Sequence, residues 1–112
     1  MSRINFVELP TSRLTASRQF YSDAFGMTFA DFGPTYSCTM SGDVDLGLQA
    51  DPREATGAPL AVIAVEDLDA AIEAVKRSGG TITKPVFAFP GGRRFHFRDP
   101  GGNELAALKI DA

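Results

Sequence analysis

The sequence predicts an α+β fold: two βαβββ modules whose strands form a curled mixed sheet around a cleft. Three observations predict it. The hydrophobic pattern reads strand, helix, three strands, and then repeats that order. A polar connector, Asp51 to Pro59, holds two prolines and a glycine and divides the two runs. Landmarks of the halves also align at one constant offset, Phe6 over Leu60, Leu14 over Leu68 and Gly26 over Gly80. The modules cover roughly residues 1–51 and 59–112, with a linker at 52–58, in one domain of 112 residues. Each supplies a four-stranded sheet with one helix behind it, and the cleft between them is the natural place for a ligand.

Each element has its own signal. Residues 3–9 alternate as a strand, with Ile4, Phe6 and Glu8 on one face, and Pro10 ends it. Ser12 is placed to cap a helix over roughly Arg13 to Phe25, which pairs Phe20 with Ala24 and Tyr21 with Phe25; Gly26 stops it. Extended runs follow near 27–32, 35–41 and 44–50, broken by Gly33-Pro34 and Gly42-Asp43. A strand at 60–65 leads to Asp67, which caps a helix through Ser78. Its apolar stripe is Leu68, Ala71, Ile72 and Val75. Lys76 and Arg77 sit where the helix dipole favours cations, and Gly79-Gly80 ends the helix. Strands near 81–84, 93–98 and 103–109 complete the chain. They are joined by a connection from Pro85 to Gly92 and by a turn from Asp99 to Gly102, where Gly101 and Gly102 supply positive-φ positions. Most of the nine phenylalanines are expected in the core.

Composition excludes several classes. Hydrophobic residues at 44% and charged residues at 22% are globular values, and a chain this long has enough surface to bury a core. A net charge of −3 with no dominant basic patch argues against nucleic acid. No apolar run approaches the roughly 20 residues of a membrane span, and no signal-peptide pattern opens the chain. One cysteine, Cys38, cannot make a disulfide framework and suits a reducing cytoplasm. It reads as an inert, partly buried thiol. The sole histidine, His96, rules out any mechanism that needs two from one chain.

Four segments, FVELP, RQFYSDAFGM, VIAVEDLDAAIEAVKRSGGTI and FHFRDPGGNEL, together resemble the vicinal oxygen chelate superfamily. That superfamily includes glyoxalase I, bleomycin-resistance proteins, fosfomycin-resistance enzymes and extradiol dioxygenases. The flavour is that of proteins related to lactoylglutathione lyase. FY-x3-FG and D-P-x-G-N are the most specific parts. The resemblance implies the paired βαβββ fold, a homodimer, and a lyase or dioxygenase activity. It also implies a divalent metal held by His and Glu from the first, fourth, fifth and eighth strands. Carried over by position, three of those places hold Phe6, Leu60 and Ala106, and the fourth lies near Gly47 to Gln49. Phenylalanine, leucine and alanine offer a metal no lone pair, so no metal and no cofactor is expected at that set.

Strand parity proposes other groups for the cleft. Glu8 shares the face of Phe6, and Glu104 that of Ala106. Arg94 and His96 point opposite to Phe95 and Phe97, and Gln49 joins them if Leu46 and Leu48 face a helix. In one reading Glu8 or Glu104 is a general base, His96 an acid, and Arg94 an anion contact. In another, Glu8, His96, Glu104 and Gln49 form a displaced metal site. Phe6, Tyr36 and Leu60 would wall a small-molecule pocket, with Phe29, Phe32 or Phe87 as further apolar wall candidates. The same residues have structural readings: His96 as a buried hydrogen-bonding residue, and Glu8 with Arg94 or Glu104 with Arg98 as ion pairs. The functional expectation is a small-molecule-binding member of the superfamily without the usual metal. The alternatives are a metal-dependent lyase or dioxygenase with displaced ligands, and a non-catalytic protein that sequesters a drug or metabolite.

Overall fold

The computed structural model describes residues 2–111. Strands and helices follow in the order β1 (Arg3–Pro10), α1 (Leu14–Phe25), β2 (Phe29–Asp31), β3 (Tyr36–Thr39), β4 (Asp45–Gln49), β5 (Leu60–Ala64), α2 (Leu68–Arg77), β6 (Thr81–Phe89), β7 (Gly92–Arg98) and β8 (Glu104–Ile110). This is the α+β, twice-repeated βαβββ order expected from the sequence. The chain divides into two compact units, one from Phe6 to Leu60 and one from Ala61 onward with the residues before Phe6.

In the first unit the strand order is β2-β3-β4-β1. β1 runs parallel to β4, with Glu8 opposite Gly47, and β3 is antiparallel to β4, with Cys38 opposite Gly47. Helix α1 does not use Ser12 as its cap. The N-cap is Arg13, with no side-chain bond to the helix. Thr11 does the local work, its hydroxyl accepting from the Arg13 N–H at 3.0 Å and sharing a 2.8 Å hydrogen bond with Ser17. At the other end Gly26, at φ 70°, donates its N–H to Ser22 O, and the Met27 N–H reaches Tyr21 O, a left-handed closure open to glycine. No residue of α1 is buried. Tyr21 and Phe25 stack at 6.4 Å as their spacing predicts, but Phe25 is 67% exposed. Only Phe29 and Phe95 of the nine phenylalanines are fully buried, which corrects the expectation that most are core. The local i,i+4 aromatic pairs satisfy one another on the helix surface instead.

In the second unit the order is β5-β8-β7-β6. β5 runs parallel to β8, with Val62 opposite Ala106, while β7 is antiparallel to both β8 and β6. Asp67 caps α2 as expected, accepting from the Ala70 N–H at 3.0 Å. Leu68, Ala71, Ile72 and Val75 pack with Phe95, Phe97, Ala107 and Ile82. This places odd-numbered β7 residues under the helix and turns Arg94 and His96 to the opposite face. Phe95 and Leu108 are wholly buried, on opposite faces of the sheet.

Two loop expectations need correction. β6 does not end at residue 84 but runs through Pro85 to Phe89, so that only a tight turn at Pro90-Gly91 is left. Pro85 is tolerated because β6 is the edge of this order, and the ladder breaks its register between Ile82 and Lys84 and again before Phe87. In the turn after β7 only Gly102 has positive φ; Gly101 does not. Asp99 organises that turn, its carboxylate accepting from both the side chain and the backbone N–H of Asn103, which hold its pKa below the usual value.

Candidate functional site

The candidate residues fall on one sheet face in each unit. In the first unit, Phe6, Glu8, Gly47, Gln49, Tyr36 and Cys38 share a face by register. Glu8 is buried. Gly47 is required here, because a Cβ would meet the Tyr36 hydroxyl and lie 3.7 Å from Cys38 Sγ. Leu46 and Leu48 therefore point the other way, as the inclusion of Gln49 required. Gln49 is buried, and its Oε1 accepts from the Asp51 N–H at 3.0 Å, so this end of the side chain closes the turn after β4. Burial first, then the charges of Asp45 and Glu8, pushes the Cys38 thiol up to about 11 against a hydrogen bond from Tyr36. That is the inert thiol the sequence suggested.

In the second unit, Arg94, His96, Glu104, Ala106 and Val62 share the face away from α2. Leu60, wholly buried, opens β5 but is the last residue of the first unit. His96 is 1% exposed. Its Nδ1 lies 3.1 Å from Glu104 Oε2. The same oxygen accepts from the Thr83 hydroxyl at 3.1 Å. An ionised carboxylate only accepts, so the imidazole proton of this pair resides on Nδ1. Nε2 then carries the lone pair, and it is buried without a hydrogen-bond partner among the described residues.

Arg98 is opposite Glu104 in register but does not pair with it; its guanidinium donates to Gly102 O at 2.8 Å. In place of the ion pair considered for it, Glu104 makes a hydrogen bond with His96.

Charge and aromatic contacts complete this face. The Phe87 ring lies 5.7 Å from the imidazole, with Lys84 Nζ 4.9 Å and the Arg94 guanidinium 5.2 Å from its centroid. Burial above all lowers the His96 pKa below its ordinary 6.5. The Glu104 hydrogen bond and charge oppose this, and the charges of Arg94 and Lys84 reinforce it. The resting imidazole is neutral at pH 7. A neutral imidazole oriented by a carboxylate through Nδ1, with a dry lone pair on Nε2, has the chemistry to accept a hydrogen bond or a proton.

Parity therefore located His96, Glu104 and Arg94 on one face, while Thr83 and Lys84 were missed as partners of that face. Their strand contains two register breaks, and period-two counting fails across a break. Pro85 is the one signal in the sequence that marks the irregularity.

The donor set does not fit a metal of the kind the resemblance implies. The carried-over places hold Phe6, Leu60 and Ala106, Glu104 is engaged by His96 and Thr83, and Gln49 Oε1 is engaged by Asp51. Among the described residues no three His, Cys, Asp or Glu side chains group as ligands.

Known proteins bear on this geometry. The family model described as the Glyoxalase/Bleomycin resistance protein/Dioxygenase superfamily matches residues 3–107. "Putative glyoxylase CFP32" of Mycobacterium tuberculosis is 31% identical over 112 residues, covering 88% of this chain and 42% of that protein. The chain thus spans less than half the length of this relative. Methylmalonyl-CoA epimerase from Mycobacterium tuberculosis superposes with a TM-score of 0.75 at 15% identity, over 97% of this chain and 88% of that one. The Mn(II)-bound glyoxalase from Novosphingobium aromaticivorans gives 0.70 at 19% identity, over 97% of this chain and 40% of that one. These structures share the fold, and no helix among the described residues is long and apolar enough to cross a membrane. By sequence and by fold, the chain belongs to the glyoxalase/bleomycin-resistance/dioxygenase superfamily.

Proposed function

We propose that this protein binds a small organic molecule at the His96 face and acts on it by proton transfer without a metal. His96 Nε2 is the base, and Glu104 holds the imidazole in the tautomer that leaves the lone pair on Nε2. The observation that carries this reading is the buried Nε2, which has no hydrogen-bond partner among the described residues. A buried acceptor left unmade costs about 1–3 kcal/mol. A ligand that offers an O–H, an N–H or an acidified C–H removes that cost and gains orientation. Arg94 and Lys84, on or next to the ring of Phe87, supply positive charge beside the imidazole. They favour a conjugate base that forms when the proton moves to Nε2.

On the first unit's own face, Phe6, Glu8, Tyr36 and Leu60 are proposed as ligand contacts, with Glu8 as an acid–base group there. The lone thiol, inert as it is, supports a cytoplasmic setting, and a homodimer is the assembly proposed from the family resemblance.

The test is a ligand screen by 1H–15N NMR using phenols, 2-hydroxy acids and 2-oxo acids against the wild type and His96→Gln. Binders that move the His96 ring signals, and that weaken at least roughly ten-fold in the variant, support the reading. Binders indifferent to the substitution, or no binder that moves the ring signals, contradict it.

A further inference from the structure

Thr83 stands where the ladder between β6 and β7 slips. Ile82 pairs with Phe97 and Lys84 pairs with His96, so two steps along β6 match one along β7. Thr83 is the extra residue of a β-bulge. Ile82 packs in the helix-side core and Lys84 lies by the Phe87 ring beside His96, which puts the core face and the site face on either side of Thr83. In an unbroken strand residues 82 and 84 would share a face. The bulge breaks that rule, and both Thr83 and Lys84 come to the side of His96.

The bulge has a chemical consequence. β6 and β8 are not neighbours; β7 lies between them. Two steps of about 4.8 Å separate their backbones, yet the Thr83 hydroxyl donates to Glu104 Oε2 at 3.1 Å. It does so on the oxygen that receives His96 Nδ1. A carboxylate oxygen has two lone pairs, and these two donors fill both. Glu104 is 26% exposed at its side chain and sits at the first position of β8. Without a second anchor that carboxylate has room to swing to water and leave the imidazole.

We propose that Thr83 is a positioning residue: delivered by the β6 bulge, its hydroxyl fixes the Glu104 carboxylate against His96 Nδ1 and so keeps the ligand-facing Nε2 unprotonated. This rests on the His96–Glu104 reading above. Thr83 touches no ligand and acts only through Glu104.

The experiment measures the 15N shifts of the His96 ring in the full chain at neutral pH for wild type, Thr83→Val and Thr83→Ser. Valine keeps the β-branched shape that strands favour and removes only the hydroxyl. The wild type is expected to show a single tautomer, with the proton on Nδ1. Thr83→Val is expected to shift roughly a third or more of the population to the Nε2–H form. Thr83→Ser restores the wild-type pattern, an outcome that a purely steric role for Thr83 does not give. An unchanged Nδ1–H tautomer in Thr83→Val overturns the positioning role and leaves the base intact. A loss of the tautomer that serine fails to restore overturns the hydroxyl's role as well. A wild-type ring protonated on Nε2 overturns the His96–Glu104 reading itself. Valine unfolding the chain would show as collapsed amide dispersion; in that event Thr83→Ala is read by the same shifts.

Discussion

The two units repeat one order of elements but hold their helices differently. α2 has an aspartate cap, cations in its last turn and an apolar stripe sunk against Phe95. α1 has no side-chain cap, no acidic first turn, no basic last turn and no buried residue. The polar faces differ in the same sense. In the second unit His96, Glu104 and Thr83 form a connected chain ending in an open acceptor. In the first, Gln49 closes a turn and Cys38 is a suppressed thiol beside two carboxylates. A duplicated architecture thus need not carry duplicated duties: one half holds the well-anchored helix and the proposed base.

The sharpest way to break this comparison is to cut a side chain from each helix region. Phe95→Ala is expected to cost about 3–5 kcal/mol, because it empties the centre of the α2 core. Phe25→Ala in α1 is expected to cost under about 1 kcal/mol, its ring being mostly in water. Urea unfolding of both variants measures the difference, and equal losses would erase the contrast.

Caps provide a smaller version of the same test. Asp67→Ala is expected to cost about 1 kcal/mol, since Ala70 N–H loses its acceptor. Arg13→Asp should instead gain up to about 1 kcal/mol, by giving α1 the cap and the N-terminal charge it lacks. Thermal unfolding reads both signs.

The smallest effect is in the pH profile. His96 binds its proton more weakly in the fold than in the open chain, so the unfolded state takes up protons first on acidification. Its contribution to stability is complete above the ordinary value of 6.5 and is lost as pH falls below it, until the folded-state value is passed. His96 is faced by Glu104 on β8, by Lys84 and Phe87 on β6 and by Arg94 on its own strand. His96→Gln should flatten the profile on the acid side of the ordinary value of 6.5. A variant whose stability still falls by the wild-type amount in that window would place the titration elsewhere.

Much of the fold was legible because it rests on local pattern. Asp67 and the stripe from Leu68 to Val75 can be read without knowing the partner sheet, and so can the parity that sets His96 against Phe95. Ser12 was misread because the hydroxyl one residue earlier, Thr11, already closes that turn. Thr83 was not legible because a bulge depends on two strands at once, and β7 is needed to see that β6 has slipped. The tie between Glu104 and His96 was half legible: parity gave the shared face, but not which of Arg98 and His96 the carboxylate would choose. Arg98 is drawn off by a carbonyl in the turn, a choice made by tertiary geometry.

The central claim is that His96 Nε2 is a basic, metal-free acceptor held ready by Glu104. The most direct measurement is the 15N spectrum of the His96 ring at neutral pH, before and after addition of Zn2+ and Mn2+. The account predicts a neutral ring protonated on Nδ1, with a pyridine-like Nε2 that neither metal moves at stoichiometric amounts. A proton found on Nε2, or a stoichiometric metal-induced shift or broadening there, would contradict it.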